Sequence, residues 1–435
     1  MVSNVSYTVN NNLCLGCGIC SDACPTSSIT MKIENGEYRP AVNENTCINN
    51  KGCHKCSNVC PGTGVNLKSI GKDSLGYNDD SNYHNLVGYY HCSYSGYASD
   101  KETRYHGASG GLLSAFIAFL LDKKIISAAV VAENDISQPF LNKTVLIHDS
   151  KELYKARSSK YCPVKFDGIV NLIKKESGTV VIVGLPCIIQ GYRKYEKIDS
   201  KFRDKVFGYF GLYCSCGRSF NLTEYVFKTR GINAKNLTYF QYRDEGCLGY
   251  LVAHEKQTKC EELTSDDANQ QMDKVTKEAF QGYYHPLRSF FIPHRCLLCI
   301  DHYAELADVS FGDIHYGKYK ADKVGVNSVV IRNKQFGRLL KEAAECGYLT
   351  IDNLSEEELV KCQASAPKKK GRTGGILKFR GLFGLKNPEY DVTLSKFVLW
   401  KSVAYYIFAQ CQRFVGRRKS LWGIIRFMYK KQVID

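Results

Sequence analysis

Residues 14–25 read Cys-Leu-Gly-Cys-Gly-Ile-Cys-Ser-Asp-Ala-Cys-Pro, a run of four cysteines closed by a proline. A second run occupies residues 47–61, with Cys47, Cys53, Cys56 and Cys60 ahead of Pro61. The two runs share the spacing of their last three cysteines, while the first gap holds five residues in the second run and two in the first. This internal repeat predicts a first domain, residues 1–70, organised around cysteine thiolates.

The spacing of the first run is that of a bacterial two-cluster ferredoxin, and the second run matches it after its longer first gap. Cysteines two residues apart wrap one face of a [4Fe–4S] cubane, and the fourth cysteine, followed by proline, ligates the other cluster. We therefore predict two clusters, with Cys14, Cys17, Cys20 and Cys60 on the first and Cys47, Cys53, Cys56 and Cys24 on the second. Zinc and disulfides are the alternatives, but zinc sites are often two Cys-x2-Cys pairs rather than two complete four-cysteine runs.

The chain has 435 residues and 20 cysteines, a length that suits roughly two to four domains. Its first residues lack the charged and apolar regions of a secretory signal, so a cytoplasmic protein with reduced thiols is expected. Reduced cysteines at regular spacing favour ligation of metals or clusters. The longest mainly apolar run, Leu112–Leu121, is shorter than the about 20 residues that span a bilayer, so no transmembrane helix is predicted.

The formal charge of +16 is concentrated near the C-terminus, because residues 368–435 hold 16 Lys and Arg against 3 Asp and Glu. Phe, Trp and Tyr alternate with these cations, so residues 366–435 are interpreted as a basic aromatic helical tail. Such a tail suits an anionic membrane surface, here the inner membrane face, or an acidic protein partner. Nucleic acid is disfavoured because no binding motif accompanies the charge. The alternative is a helical hairpin packed on the body with a solvated basic side.

Strand and helix patterns alternate from about residue 86 onward, which favours a mixed α/β body after the α+β ferredoxin-like domain. Val180–Gly184 has the continuous apolar pattern of a buried strand, and Lys205–Tyr213 is predicted to be the next strand. Leu112–Leu121 is predicted to be a buried helix. We expect the body to fall into two parts, residues 86–165 and 166–350.

Four further cysteines stand out by context, and they are Cys187, Cys214, Cys296 and Cys299. Cys187 and Cys214 follow predicted strands, and the carboxyl ends of parallel strands share the edge of a sheet where ligands bind. The Cys296-x2-Cys299 loop could face them and complete a third four-thiolate site. A zinc site and ordinary buried thiols remain open on spacing alone.

Several short motifs recur in a characteristic order along residues 1–320. They are Ala108-Ser109-Gly110-Gly111, Ser159-Lys160-Tyr161, Gly184-Leu185-Pro186-Cys187, Cys214 five residues before Ser219, Cys296-x2-Cys299, and Ala307-Asp308-Val309-Ser310-Phe311-Gly312-Asp313. With these motifs the chain resembles the coenzyme F-420 hydrogenase/dehydrogenase beta-subunit family, in the version with a fused N-terminal ferredoxin. The resemblance implies a body that holds one [4Fe–4S] cluster and one FAD.

Carried onto this chain, the resemblance implies Cys187, Cys214, Cys296 and Cys299 as ligands of the third cluster, with Cys216 as the reserve ligand. Cys216 is a departure, since the family often has glycine there. The flavin region is expected around Ser109, Gly110 and Gly111, where a helix start suits a phosphate, and around Lys160, which could bring positive charge. A plain serine N-cap with packing glycines and a solvated lysine are the alternatives. Asp313 could orient a cofactor or cap a turn.

The functional prediction is a flavin-dependent iron–sulfur oxidoreductase. A two-electron small molecule, coenzyme F-420 or another compound, would react at the flavin. Electrons would pass between the flavin and the ferredoxin-type clusters. The expected redox partner is a small molecule of this kind or a ferredoxin-like protein. The resemblance also implies a possible place in a surface-polysaccharide pathway. The alternative is a non-catalytic electron-transfer or sensor module that docks to a partner through the basic tail.

Overall fold

The fold was analysed in a computed structural model that describes residues 4–135, 142–256, 273–314, 316–394 and 400–430. The strands are β1 (Ile29–Glu34), β2 (Glu37–Val42), β3 (Gly64–Val65), β4 (Tyr83–His84), β5 (Gly88–Tyr89), β6 (Cys92–Ala98), β7 (Ala128–Asn134), β8 (Asn142–Ile147), β9 (Val180–Gly184), β10 (Val206–Leu212), β11 (Leu237–Asp244), β12 (Tyr250–Glu255), β13 (Lys274–Ala279), β14 (Val309–Asp313), β15 (Asn327–Ile331), β16 (Leu349–Asn353) and β17 (Glu389–Tyr390).

The α-helices are α1 (Ser6–Asn10), α2 (Ile19–Asp22), α3 (Lys55–Asn58), α4 (Leu67–Leu75), α5 (Lys101–Tyr105), α6 (Leu112–Asp122), α7 (Ile169–Lys175), α8 (Pro186–Tyr195), α9 (Ser200–Arg203), α10 (Phe220–Arg230), α11 (Phe280–Leu287), α12 (Lys334–Glu345), α13 (Glu356–Cys362), α14 (Ser365–Leu382), α15 (Trp400–Gly416) and α16 (Trp422–Lys430). Short 3-10 helices occupy Asn49–Lys51, Ser150–Lys155, Ala234–Asn236, His294–Leu298, Gly317–Ala321 and Lys419–Leu421.

A mixed sheet forms the centre of the body, and its described strands lie in the order β16-β6-β15-β14-β10-β9-β7-β8. The four strands β14, β10, β9 and β7 run parallel to their neighbours within this group. Antiparallel pairs extend the sheet on both sides. The mixed α/β body and the strand Val180–Gly184 are thus confirmed, and the carboxyl ends of β9 and β10 lie side by side.

Two hydrophobic cores cover the two faces of this sheet, as the alternation of strand side chains requires. Val181 and Val183 face a core that α6 and α12 complete. Val180 and Ile182 face a second core that contains α7 and α8 together with residues of the N-terminal domain. Because these N-terminal residues share the core of β9 and α8, the cysteine-rich domain is packed onto the sheet.

Further contacts tie the N-terminal domain to the rest of the chain. Helix α4 runs to Leu75, so the N-terminal domain extends five residues past the predicted boundary at residue 70. The helix ends there because Gly76 adopts the left-handed conformation that commonly terminates helices. Strand β3 pairs in parallel with β17 near the other end of the chain. The ligand-bearing loops are therefore held from both sides.

Helix α14 begins the predicted tail and packs on the body through its basic residues. The Lys370 Nζ atom lies 3.0 Å from Glu305 Oε1, and both side chains are almost completely buried. Arg413 of α15 donates from Nε to the carbonyl oxygen of Ile292 at 2.6 Å. Part of the positive charge of the tail is thus used inside the protein. No helix among the described residues is long and apolar enough to cross a membrane.

Candidate iron–sulfur centres and flavin region

Four cysteines from the two runs line one small cavity in the N-terminal domain, and they are Cys14, Cys17, Cys20 and Cys60. Cys60 comes from the second run, so the structure brings together the four ligands proposed for the first cluster. The amide of Gly16 donates to the Cys14 sulfur at 3.4 Å, and that of Gly62 donates to the Cys60 sulfur at 3.4 Å. Amide hydrogen bonds of this kind stabilise cluster thiolates and tune their potential.

Gly16 has a backbone reason to be glycine. Its φ is +72°, and an added Cβ would lie 2.8 Å from the carbonyl oxygen of Tyr38. A side chain here would clash with strand β2 and strain the left-handed backbone, so the loop could not keep its amide directed at the Cys14 sulfur.

The other four cysteines of the two runs, Cys24, Cys47, Cys53 and Cys56, line a second small cavity. The amide of Ser28 donates to the Cys24 sulfur at 3.2 Å. Burial acts to raise the pKa of Cys24, but hydrogen bonds from Thr26 and Ser28 outweigh it and lower the pKa overall. The grouping matches the crossed ligand assignment, in which the last cysteine of each run serves the other cluster.

The donor chemistry of both cavities fits a cubane. Burial raises the pKa of Cys17 and of Cys20, and neighbouring thiolates raise both further. Such thiols would stay protonated unless a cationic iron centre offset their charge. Among the described residues, no three His, Cys, Asp or Glu side chains are arranged to hold a single metal ion; the thiols surround a cavity instead.

The body cysteines predicted for a third site come together at the carboxyl ends of β9 and β10. Burial raises the pKa of Cys187, and the charges of Cys214, Cys296 and Cys299 raise it further, as does that of Cys17. Burial likewise raises the pKa of Cys296 to about 12, with a contribution from Cys216. Cys187 is the second residue of α8, Cys296 lies on the 3-10 helix His294–Leu298, and Cys299 caps its end.

Cys216, the reserve ligand, also belongs to this group. The amide next to it, that of Gly217, donates to the Cys296 sulfur at 3.3 Å. Arg218 donates from Nη1 to the Cys216 sulfur at 2.9 Å. Burial acts to raise the pKa of Cys216, but the Arg218 charge and hydrogen bond outweigh it and lower the pKa overall. The structure thus gathers five thiols where a cubane needs four.

Lys369 is a component of this site that the sequence reasoning missed. Its Nζ atom donates to the carbonyl oxygen of Cys214 at 2.9 Å and to that of Asp301 at 2.7 Å. Burial acts to lower its pKa, but the thiolates of Cys299 and Cys214 outweigh this and raise it. Nothing in the sequence singled out Lys369, because three consecutive lysines, Lys368 to Lys370, are typical of a solvated basic segment.

Direct contacts join the first cluster cavity to the body site. Arg295, the neighbour of Cys296, donates from Nε to the carbonyl oxygen of Gly62 at 2.8 Å. Lys194 of α8 donates to the carbonyl oxygen of Cys60 at 2.7 Å. The Cys17 charge also raises the pKa of Cys187, so these two thiols are electrostatic neighbours.

The predicted flavin region forms a polar network at the start of α6. Ser109 donates from its hydroxyl to Asp313 Oδ1, and Arg243 Nη1 lies 2.7 Å from Asp313 Oδ2. Arg243 also donates to the carbonyl oxygen of Ala108 at 2.6 Å. Arg243 was not singled out from the sequence, because it lies on β11, about 130 residues from Ser109.

Gly110 and Gly111 are needed for close packing. An added Cβ at Gly110 would lie 2.6 Å from the Gly325 carbonyl oxygen, and one at Gly111 would lie 2.3 Å from that of Thr103. Close packing, which was the alternative explanation from the sequence, therefore accounts for both glycines. Phosphate binding at the start of the helix stays a prediction.

Lys160 is half-buried, and its side-chain nitrogen is bonded within the protein. Its Nζ atom donates to the carbonyl oxygens of Ala156, Arg157 and Ser158 at 2.6, 2.7 and 3.1 Å. Burial lowers the pKa of Lys160 to about 7. Ser158 in turn donates from its hydroxyl to the carbonyl oxygen of Arg243, so Arg243 connects the lysine loop with Ser109 and Asp313.

Comparisons with known proteins agree with this architecture. Residues 93–171 match the family model described as coenzyme F-420 hydrogenase/dehydrogenase, beta subunit N-term, and residues 178–357 match its C terminus. Residues 13–65 match a 4Fe-4S dicluster domain. The chain belongs to the coenzyme F-420 hydrogenase/dehydrogenase beta-subunit family and carries a 4Fe-4S dicluster domain ahead of it. The resemblance drawn from the motifs is confirmed.

Among the curated relatives is the coenzyme F-420-dependent sulfite reductase of Methanocaldococcus jannaschii, 23% identical over 253 residues. That match covers 55% of this chain and only 35% of the relative. The coenzyme F-420 hydrogenase subunit beta of Methanothermobacter thermautotrophicus is 26% identical over 319 residues, which are 70% of this chain and 99% of the relative.

A chain in the solved F-420-reducing nickel–iron hydrogenase complex from Methanosarcina barkeri has a similar fold, with a TM-score of 0.52 at 18% sequence identity. The match covers 70% of this chain and 97% of that chain. At this identity the likeness concerns the fold alone.

Proposed function

We propose that this protein is an iron–sulfur oxidoreductase that moves electrons along three [4Fe–4S] clusters. The observation that carries the proposal is the adjacency of the cysteine groups. Cys17, in the first cavity, belongs to the hydrophobic core against which Cys187 of the body group packs. Lys194 and Arg295 bind the carbonyl oxygens of Cys60 and Gly62. Electron transfer between clusters needs centres that lie close together, and this packing supports such an arrangement.

The proposal includes FAD in the region of Ser109, Gly110, Gly111 and Lys160. When bound, a flavin supplies the exchange between a two-electron hydride step and the one-electron steps of clusters. The start of α6 and the buried guanidinium of Arg243 both bring positive potential to this region, which suits an anionic group. Here Lys160 acts through the loop it holds, because its donors are already bonded to three carbonyl oxygens.

The proposed two-electron partner is coenzyme F-420 or a related small molecule. Two relatives are named for this coenzyme, a sulfite reductase and a hydrogenase subunit, and the family name repeats it. The one-electron partner is proposed to be a ferredoxin-like protein, which would exchange electrons at the N-terminal clusters. A place in a surface-polysaccharide pathway stays a prediction.

The first test is the cofactor content of the protein purified without oxygen. Acid precipitation should release about one flavin per chain, and iron analysis should find roughly 12 iron atoms for three clusters of four. A content of about eight iron atoms without flavin would contradict the proposed oxidoreductase function and favour a non-catalytic electron-transfer or sensor module. Zinc in place of four of the iron atoms would make the body site structural.

The second test concerns the substrate. Dithionite-reduced protein is mixed anaerobically with oxidised coenzyme F-420, and the absorbance of the coenzyme is followed. Loss of that absorbance at a rate well above the dithionite blank is expected. A flavin-containing protein that does not react would exclude coenzyme F-420 and leave another small molecule to be found.

A further inference from the structure

Large apolar side chains that face solvent are concentrated in the C-terminal helices. Ten of the twenty exposed ones among the described residues lie between residues 382 and 428. Trp400, Leu382 and Phe427 have relative exposures of 83%, 75% and 71%. We name this region the C-terminal apolar surface and define it by Leu382, Phe383, Trp400, Phe408, Phe414 and Phe427. Exposed patches of this kind mark interaction sites.

Helix α15 carries apolar side chains on two sides, whereas a helix that only packs on the body is expected to be apolar on one side. Its inner side carries the buried residues Val403 and Tyr406. Its outer side carries Ile407, Phe408 and Phe414, which are all more than half exposed. The outer residues recur at the spacing of one helical face. The outer face is therefore free within the described chain while the inner face is already used.

The charges within the last helices have one sign, although Lys419 pairs with Glu224 of α10. Residues 400–430 contain seven Lys and Arg and neither Asp nor Glu. Arg417, Arg418 and Arg426 are exposed, and the Arg418 guanidinium lies 3.6 Å from the centre of the Phe414 ring. The inward cations of the tail, such as Lys369 and Lys370, are bonded within the body. The cations that remain outside accompany the apolar side chains.

We propose that the C-terminal apolar surface lies on an anionic lipid bilayer. Exposed Trp, Phe and Leu flanked by Lys and Arg are the composition of helices that lie in the membrane interface. Anionic headgroups would complement the cations, which an uncharged protein surface would not. Helices α15 and α16 are too short to cross the bilayer. The family models end at residue 357, so this surface lies outside the part that defines the family.

The chain contains two tryptophans, which make a direct test possible. Trp400 is exposed and Trp422 is 5% exposed, so Trp422→Phe leaves a single reporter on the surface. This variant is mixed with vesicles of phosphatidylcholine alone or with phosphatidylglycerol. A blue shift of the emission and co-sedimentation with the anionic vesicles are expected, and both should weaken in high salt. Protein that stays in the supernatant with unshifted emission would overturn the proposal.

A triple variant, Trp400→Ser with Phe408→Ser and Phe427→Ser, tests the surface itself. We expect its partitioning onto anionic vesicles to fall about tenfold or more, because three large apolar groups no longer enter the lipid. The control carries Ile33→Ser, Tyr154→Ser and Val275→Ser, three exposed apolar residues elsewhere. Iron content equal to wild type shows that each variant is folded. Binding of the triple variant at wild-type strength would refute the proposal.

A dimer that the triple variant abolishes, without any vesicle binding by the wild type, would also refute it and assign the surface to a second copy. These measurements do not involve electron transfer, so their outcome is independent of the proposed oxidoreductase function.

Discussion

The Nε atom of Arg295 donates a hydrogen bond of 2.8 Å to the carbonyl oxygen of Gly62. Arg295 precedes Cys296, and Gly62 follows the Cys60-Pro61 pair, so this one bond joins the ligand loops of two cysteine sites. Arg295 is among the largest fully buried side chains. The contact fixes the N-terminal domain against the body between the first cysteine cavity and the body cysteines.

Arg295→Met should therefore destabilise the protein and loosen this junction. Loss of a buried charge-assisted hydrogen bond costs about 2 kcal/mol, and the carbonyl oxygen of Gly62 would be left unpaired. A lower thermal midpoint and faster proteolysis near residue 75 are expected. Arg203→Met serves as the control because the Arg203 side chain is exposed and pairs with its chain neighbour Asp204. Identical melting of the Arg295 variant and the control would show that the contact contributes nothing.

Cys187→Ser should remove the body cluster and leave the two N-terminal clusters. Serine is a poor ligand for a cubane, so iron content should drop from roughly 12 to about eight atoms with one EPR signal lost. The exposed Cys346 provides the control variant Cys346→Ser. Three unchanged EPR signals would refute the assignment of Cys187.

Cys214→Ser and Cys216→Ser separate the predicted ligand from the reserve. We expect the first variant to lose the body cluster and the second to keep it. The opposite result, measured as iron per chain, would make Cys216 the ligand and leave Cys214 as a neighbour bonded through its carbonyl oxygen to Lys369.

Lys369→Met should lower the reduction potential of the body cluster. The buried ammonium group lies near the Cys214 and Cys299 thiolates, and it would stabilise the extra negative charge of a reduced cluster held there. Its removal is expected to shift the potential by tens of millivolts, on the order expected for one nearby charge. Redox titration followed by EPR measures this value. Lys368→Met is a matched control, since Lys368 is exposed; equal potentials in the two variants would contradict the prediction.

Glu305 should make stability depend on pH. Burial raises the pKa of Glu305 from 4.5 to about 7, against the lowering effect of Lys370. The folded state therefore binds more protons than the unfolded state between these values, and this contribution is lost as the pH rises through about 7. Compared with Glu305→Gln, the wild type should lose on the order of 2 kcal/mol across this window.

Thermal midpoints between about pH 5.5 and pH 8 test this difference. Glu357→Gln is the control, because Glu357 is largely exposed. A constant difference between the wild type and Glu305→Gln over the whole range would show that Glu305 does not titrate in the folded protein.

Arg243→Gln should lower the flavin content without changing the iron content. The variant loses the ion pair with Asp313 and the positive charge beside Ser109, whereas the cluster cysteines lie elsewhere. The ratio of flavin to iron in purified protein is the measurement. Arg230→Gln is the control, since Arg230 also pairs with a carboxylate, that of Glu278 at 2.8 Å. Equal flavin-to-iron ratios in both variants would show that Arg243 does not contribute to flavin binding.

Sequence reasoning was effective where the chemistry is local. The strand Val180–Gly184 and the helix that begins at Leu112 were predicted with these bounds or nearly so, because continuous apolar runs identify buried elements. The tail was harder to interpret, since Lys369 and Lys370 look like solvated cations in a basic run. Only the packing of α14 shows that both are buried.

The spacing of the cysteines by itself determined the chemistry predicted for the N-terminal domain, because closely spaced cysteines wrap one cluster and the fourth, before proline, reaches the other. Tertiary structure decided what surrounds each centre. Lys369, Arg295 and Arg243 make their contacts with residues far away in the chain. Only the packing of α14, the 3-10 helix His294–Leu298 and β11 against the rest of the protein brings those residues together, because no local spacing relates them.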